Sequence, residues 1–79
     1  MKKMNETEQK VYIKEAYIKL DTFLKLGGAA DTGGQAKGLV LDGLVKVNGE
    51  TCLQRGKKIY HGYTVTYGGK VYVCDKAAV

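Results

Sequence analysis

Residues 19–49 read KLDTFLKLGGAADTGGQAKGLVLDGLVKVNG, and this stretch decides the fold. Its first part has apolar residues at the i, i+3 and i+4 spacing of one helix face: Leu20, Phe23 and Leu24. Asp21 is the expected N-cap, because its carboxylate can accept hydrogen bonds from backbone N–H groups two or three residues later. Gly27 and Gly28 are expected to end this helix, since glycine tolerates the left-handed conformation after a last turn.

A second helix is predicted, with Asp31 or Thr32 as its N-cap, and it runs to about Asp42. Gly43 is its expected stop. Its inner face is formed by Ala36, Leu39 and Val40. Its outward-pointing residues are Gln35, Lys37 and Gly38. The sequence therefore predicts two short helices joined by a glycine-rich turn.

A β-hairpin is predicted directly after the second helix. Residues 44–47 form a β-prone run that ends at Asn48-Gly49, the strongest short hairpin signal in the sequence. A two-residue loop here fixes the register, and the expected pairs are Val47 with Glu50, Lys46 with Thr51, and Val45 with Cys52. Because side chains alternate along a strand, the side chain of Lys46 is expected on the face away from its two valine neighbours.

The flanking segments indicate the fold class. Residues 1–9 are polar and lack periodicity, which indicates a disordered lead-in. Residues 11–13 are a candidate first strand. Residues 63–67 and 70–74 predict a second hairpin, with Gly68-Gly69 supplying the φ > 0 positions of its turn. The predicted class is α+β, with two short packed helices against a small, mostly antiparallel sheet that ends in a C-terminal β-hairpin.

Length and composition limit the possible functions. A chain of 79 residues buries only about 60% of its unfolded surface, so residues 10–79 are expected to form one small domain without a deep substrate cleft. Cys52, Cys74 and His61 lack the spacing of a metal site, and no acid–base pair or nucleophile is identifiable. No apolar run approaches the roughly 20 residues of a membrane span. We expect a cytoplasmic, non-enzymatic protein without cofactor, metal, membrane contact or small-molecule substrate.

The net charge of +5 is concentrated in one part of the chain. Residues 44–62 carry an excess of three positive charges, because four cations face a single acid. These cations are Lys46, Arg55, Lys57 and Lys58. Neighbouring like charges repel each other, and an anionic partner would relieve the repulsion and gain from counterion release. Arg55 can also fork onto a phosphate in a way that lysine cannot.

The order of these motifs resembles the S4 RNA-binding domain. S4 domains carry a pattern like R-L-D-x-x-L at the first helix, S-R-S-x-A-R at the second and G-x-V-x-V-N-G at the hairpin. The corresponding segments here are residues 19–24 (KLDTFL), 32–37 (TGGQAK) and 43–49 (GLVKVNG). The paired glycines before QAK and the RGKK loop at residues 55–58 are similar to the small stand-alone YaaA-like members, in which this module is nearly the whole protein.

The resemblance implies the S4-like (alpha-L) fold and binding of structured RNA, with ribosomal RNA and ribosome precursors as the leading candidates. The expected RNA-binding residues are Lys19, Lys25, Gly33, Gly34, Lys37, Lys46, Asn48, Arg55, Lys57 and Lys58. Gly33 stands where the wider family usually has arginine. Two interpretations of Gly33 and Gly34 stay open: a tight turn between packed helices, or a helix start whose exposed N–H groups approach a phosphate closely.

Other functions are less well supported. A protein-interaction adaptor could use residues 54–58, called the basic loop, to bind an acidic partner. A DNA-binding helix-turn-helix is disfavoured, because residues 27–32 are a loose connection and the presumed recognition helix has only Lys37 as a cation.

Tyr60 and Tyr63 lie beside the basic loop and are candidates for stacking on unpaired bases. The remaining tyrosines in apolar-patterned stretches are interpreted as core or cross-strand residues: Tyr12, Tyr17, Tyr67 and Tyr72.

Overall fold

The computed structural model describes residues 7–77 of the chain. This part contains two helices and seven strands. In chain order the elements are β1 (Thr7–Ile13), β2 (Tyr17–Lys19), α1 (Leu20–Leu26), α2 (Gly33–Leu41), β3 (Lys46–Val47), β4 (Glu50–Thr51), β5 (Lys58–Tyr60), β6 (Thr64–Tyr67) and β7 (Lys70–Lys76).

Five strands form one sheet in the order β1-β7-β6-β3-β4. β1 runs parallel to β7, and the other neighbouring pairs in this sheet are antiparallel. β2 and β5 form a separate two-stranded antiparallel unit, called the ribbon below. The predicted α+β class is confirmed, with a mostly antiparallel sheet and a C-terminal β-hairpin made by β6 and β7.

One apolar core joins the helices, the sheet and the ribbon. Its largest fully buried side chains are Phe23, Leu20, Leu24, Ile59, Val40, Val45, Val65 and Cys74. The predicted inner faces of both helices are confirmed: in α2, Ala36 and Val40 are fully buried and Leu39 packs against them. Truncating a buried leucine or phenylalanine to alanine typically costs about 2–5 kcal/mol, so these faces hold the helices on the sheet.

Helix α1 begins earlier than predicted, and Asp21 is not its cap. The N-cap is Lys19, whose side chain makes no capping hydrogen bond. Asp21 lies in the first turn, where the positive end of the helix favours its carboxylate. The prediction is wrong because a distant segment satisfies the first N–H groups. The N–H of Leu20 donates to the carbonyl oxygen of Lys57 at 2.9 Å, and the N–H of Asp21 donates to that of Arg55 at 3.0 Å.

The other helix ends follow the predicted chemistry. α1 ends before a glycine pair, of which Gly28 takes a φ of +86°. Thr32, rather than Asp31, caps α2: its hydroxyl oxygen accepts a hydrogen bond from the backbone N–H of Gln35 at 3.1 Å. Gly43, with a φ of +76°, ends α2 as predicted.

Both predicted hairpins are confirmed. Asn48 and Gly49 have φ values of +52° and +88°, the left-handed conformation that a two-residue hairpin turn requires. The pairs across this turn are the predicted ones: Val47 with Glu50, Lys46 with Thr51, and Val45 with Cys52 through a backbone hydrogen bond of 3.0 Å. In the second hairpin, Gly68 and Gly69 have φ values of +63° and +81°.

The amino-terminal segment differs from the prediction in two ways. β1 begins at Thr7, so the predicted lead-in of residues 1–9 is wrong for its last three residues, while residues 1–6 lie outside the described part. Tyr12, interpreted as a core or cross-strand residue, is 55% exposed. Val11 and Ile13 take the inward positions of the alternating strand, which leaves Tyr12 on the outer face.

Candidate nucleic-acid interface

The basic loop is fixed against the start of α1 by the backbone hydrogen bonds that cap this helix. Lys19, at the N-cap, thereby lies next to a loop that is distant in sequence. Four predicted site residues form one surface, called the basic cluster: Lys19, Arg55, Lys57 and Lys58. All four are exposed. The fold therefore gathers cations that the sequence shows only as separate groups.

The ribbon places two lysines of the basic cluster directly opposite each other. Its register pairs Tyr17 with Tyr60, Ile18 with Ile59, and Lys19 with Lys58. Like charges at directly opposed positions destabilise a β pair. Among the described residues, neither Lys19 nor Lys58 takes part in an ion pair. The fold thus keeps an uncompensated pair of positive charges that a bound anion would neutralise.

Arg55 is less free than its loop position suggests. Its Nη1 atom lies 3.7 Å from Oδ2 of Asp21, and the Arg55 side chain is 54% exposed against 19% for Asp21. The interpretation that little nearby acid offsets the loop charge is therefore wrong for Arg55. An ion pair with an exposed partner contributes only about 0–1 kcal/mol, so an incoming anion can compete for the guanidinium group.

The hairpin tip and the basic loop share an open groove of about 410 Å³. Its lining includes Asn48, Glu50, Cys52, Gln54, Lys57 and Tyr63. Asn48 also has a structural role, because its side-chain oxygen accepts a hydrogen bond from the backbone N–H of Thr64 at 2.9 Å. Asn48 and Lys57, both predicted site residues, are thus brought to one groove although different elements carry them.

The other predicted lysines are exposed on separate elements. Lys46 lies on β3, on the face away from the buried Val45 and Val47, as predicted. Lys25 lies in the last turn of α1, and Lys37 lies on the outer side of α2. Within residues 7–77, no hydrogen bond or ion pair links these three lysines to the basic cluster.

The start of α2 carries two glycines that the backbone conformation does not require. Neither Gly33 nor Gly34 has a positive φ. A β-carbon at Gly33 would meet nothing within 4 Å, and one at Gly34 would meet only the hydroxyl oxygen of Thr32, at 4.0 Å. The tight-turn interpretation is therefore wrong, since both residues lie in the first turn of the helix. First-turn N–H groups have no partner inside a helix, and Thr32 satisfies only that of Gln35.

The ribbon brings together three tyrosines. The ring centroids of Tyr17 and Tyr60 are 5.6 Å apart, and those of Tyr60 and Tyr63 are 5.7 Å apart. Tyr17 is a cross-strand residue as expected, but it is exposed rather than part of the core. The sequence contains a signal for this exposure, because YIK at residues 17–19 and KIY at residues 58–60 mirror each other. On each strand the alternation puts one isoleucine inward and two polar-tipped residues outward.

Other titratable groups offer little chemistry. Burial raises the pKa of the Cys74 thiol and of the Tyr72 hydroxyl, which keeps both protonated at neutral pH. In residues 7–77, no three His, Cys, Asp or Glu side chains converge where they could hold a metal ion. Neither described helix has the length and apolar character needed to cross a bilayer. The basic cluster and the adjoining tyrosines therefore form the candidate site.

The sequence and the fold of the chain are similar to those of known proteins. A family model described as S4 domain matches residues 11–74. YbcJ of Escherichia coli (strain K12) is 38% identical over 56 residues, which are 71% of this chain and 80% of that protein. YbcJ of Shigella flexneri gives the same values. The solution structure of E. coli YbcJ, described as revealing an alfaL motif involved in RNA-binding, matches with a TM-score of 0.64 and 30% identity, covering 91% of this chain and 90% of that chain.

Proposed function

The chain belongs to the S4 domain family, and we propose that it is a non-enzymatic protein that binds structured RNA. The RNA would be recognised by its shape and backbone charge, because the base edges in the deep groove of an A-form helix are inaccessible to side chains. The description of the YbcJ structure as carrying a motif involved in RNA-binding supports this proposal.

The observation that carries the proposal is the Lys19–Lys58 pair within the basic cluster. Two opposed lysines repel each other, and neither has an ion-pair partner among the described residues to offset this repulsion. Phosphates on a folded RNA would neutralise both charges and release condensed counterions. Lys57 and Arg55 extend the same surface along the loop, so an RNA backbone could contact several cations in succession.

The start of α2 is proposed as a second contact. Gly33 and Gly34 leave the first N–H groups of the helix without side-chain cover, and the positive end of the helix dipole favours an anion there. This contact would substitute for the arginine that the wider family usually has at the position of Gly33. Lys37 on the same helix, Lys25 on α1, and Lys46 and Asn48 on the first hairpin complete the proposed face.

The target and setting are proposed on the family resemblance. Ribosomal RNA and ribosome precursors are the leading candidates, because they offer the largest supply of folded RNA with exposed phosphates. Residues 10–79 would act as one RNA-binding domain in the cytoplasm, without cofactor or small-molecule substrate. Crosslinking in cells followed by sequencing of the bound RNA identifies the target directly.

The salt dependence of RNA binding tests the proposed function. Contact with about four phosphates predicts a slope of log K against log salt near −3, from roughly 0.7–0.9 released counterions per contact. Affinity for a stem-loop RNA, measured by fluorescence anisotropy, should therefore fall about 60-fold between about 50 and about 200 mM salt. Affinity that stays flat across this range would contradict electrostatic recognition of the RNA backbone.

A polyglutamate peptide is the control for the alternative adaptor function. It offers regularly spaced negative charges without the geometry of an RNA helix. We expect the stem-loop RNA to stay bound when polyglutamate is added at an equal concentration of charge. Displacement of the RNA by the peptide under these conditions would favour an acidic protein as the partner.

A further inference from the structure

The ribbon has one apolar and one exposed face. Ile59 is fully buried and Ile18 packs against the core beside it. Because side chains alternate along each strand, the residues on either side of these isoleucines point outward. They are Tyr17, Lys19, Lys58 and Tyr60, and all four are exposed.

The exposed tyrosines form a continuous aromatic surface. Tyr17 is 39% and Tyr60 is 40% exposed. Their rings are tilted by 48° at a centroid distance of 5.6 Å, and Tyr63 continues the series at 5.7 Å from Tyr60. Tyr12 is also exposed but has no aromatic neighbour among the described rings, as is common for single surface residues. Tyr17 and Tyr60 are two adjoining rings in solvent, with the half-buried Tyr63 beside them, and this arrangement needs a different explanation.

The same face carries positive charge over one of its rings. The ammonium nitrogen of Lys58 lies 4.9 Å from the centroid of the Tyr17 ring. Lys19 stands opposite Lys58 in the ribbon register. Flat aromatic rings bordered by cations are the combination that binds single-stranded nucleic acid, because each base offers a face for stacking and each nucleotide brings a phosphate. Bases inside a duplex are already stacked on each other and cannot use such a surface.

We propose that Tyr17, Tyr60 and Tyr63 stack on unpaired bases of a single-stranded RNA segment that flanks the folded RNA, while Lys19 and Lys58 contact phosphates at the junction between the folded RNA and that segment. This inference rests on the proposed function, since the basic cluster lies next to these tyrosines and would hold the adjoining folded RNA. The protein would therefore recognise a junction, with the duplex on the basic loop and helices and the unpaired strand on the ribbon.

Two RNAs that share one stem test this proposal. The first is a blunt stem-loop, and the second adds an unpaired 3′ or 5′ extension of about six uridines, within the range that one small domain occupies. We expect the wild-type chain to bind an extended RNA at least about tenfold more tightly than the blunt one, as the stacking of one or more bases provides. The Tyr17→Leu/Tyr60→Leu variant should lose this preference and keep its affinity for the blunt stem-loop.

The Tyr17→Phe/Tyr60→Phe variant is the matched control, because it keeps both rings and loses only the hydroxyl groups. It should retain the preference. Equal affinity of the wild-type chain for blunt and extended RNAs, or an unchanged preference in the leucine variant, would overturn the stacking surface and leave the proposed function intact. Failure of the wild-type chain to bind any of these RNAs would instead overturn the proposed function. If the leucine variant does not fold, an abasic extension of the same length serves in its place, because it keeps the added phosphates and lacks the bases. Equal affinity of the wild-type chain for the uridine and abasic extensions would overturn the stacking surface.

Discussion

Two exposed strand pairs of this molecule carry lysines in opposite settings. On β1 and β7, the ammonium nitrogen of Lys10 lies 3.9 Å from Oδ2 of Asp75, so the charge is compensated by a neighbour. On the ribbon, Lys19 faces Lys58 and no acid compensates either of them among the described residues. Positive charge on a protein surface is ordinary when it is paired locally. Where the fold aligns like charges beside exposed aromatic rings, an anionic ligand is the simplest explanation.

The largest effect on RNA affinity is expected from removing positive charge from the basic loop, compared with removing the same charge from β1 and β7. Two triple variants each remove three positive charges: Arg55→Ala, Lys57→Ala and Lys58→Ala on one side, and Lys10→Ala, Lys70→Ala and Lys76→Ala on β1 and β7. The first should weaken binding of a stem-loop RNA at least tenfold in anisotropy titrations, because several phosphate contacts are lost. The second should change it by less than about threefold, since screened charges act weakly beyond a Debye length.

The stability of both triple variants should change little, because exposed substitutions usually alter the free energy of unfolding by less than about 0.5 kcal/mol. Loss of the Arg55–Asp21 ion pair adds at most about 1 kcal/mol to this. Circular dichroism during thermal unfolding checks that each variant is folded. Equal loss of RNA affinity in the two variants would mean that only net charge matters and that neither face is specific.

A smaller and more diagnostic effect is expected from Lys19→Glu. A glutamate there would pair with Lys58 across the ribbon and would lie at the favourable positive end of α1. The melting temperature should therefore rise by a few degrees, as about 0.5–1 kcal/mol does in a domain of this size. RNA affinity should fall at least about fivefold, because one ion contact of roughly 1 kcal/mol is lost in water and the new carboxylate also repels the phosphate.

Lys10→Glu is the matched control for this substitution on the other face. It places a glutamate near Asp75, so the melting temperature should fall slightly while RNA affinity stays close to that of the wild-type chain. The two variants should thus move stability in opposite directions, and only the ribbon variant should weaken RNA binding clearly. A Lys19→Glu variant that is more stable and binds RNA as well as the wild-type chain would exclude Lys19 from the interface.

The smallest effect is expected at the start of α2. Gly33→Ala and Gly34→Ala should leave the melting temperature unchanged or raise it, because neither φ is positive and alanine favours a helix over glycine by up to about 1 kcal/mol. RNA affinity should fall about two- to fivefold, since a helix end contributes roughly 0.3–1 kcal/mol to holding an anion. Isothermal titration calorimetry well below the melting temperature measures this difference.

Gly38→Ala provides the control within the same helix. Gly38 also lacks a positive φ, and a β-carbon there would meet nothing within 4 Å. Its N–H lies beyond the first turn, where it is used inside the helix. This variant should gain stability and keep its RNA affinity. Unchanged affinity in all three alanine variants would remove the helix start from the proposed interface.

The local parts of the fold could be predicted from the sequence, and the interface only in part. Helix faces, glycine stops and the Asn48-Gly49 turn follow from signals within a few residues, and the structure has them. The ribbon does not follow from local signals, because residues 17–19 and 58–60 are short strands that meet only through the tertiary fold. The same reason explains the error at Asp21, whose N–H and carboxylate both have partners on the distant loop.

The lysines of the proposed site could therefore be chosen from the sequence, while their arrangement in the fold could not. Lys19 and Lys58 lie in segments far apart in the sequence, and the mirrored alternation of YIK and KIY is the one signal that relates these two segments. The exposure of Tyr17 likewise depends on which face of the ribbon the core covers. The sequence shows which residues are charged, and the pairing of distant strands determines where these residues lie on the surface.

Mapping of the RNA-binding surface of the protein by NMR tests most directly which face is the interface. A stem-loop RNA is titrated into the isotopically labelled chain, and backbone amide shifts are followed residue by residue. We expect the largest changes at Lys19, at residues 33–37 and at residues 55–60, with small changes along β1 and β7. Changes that centre on residues 8–12 and 70–76, with residues 55–60 unaffected, would contradict the proposed interface.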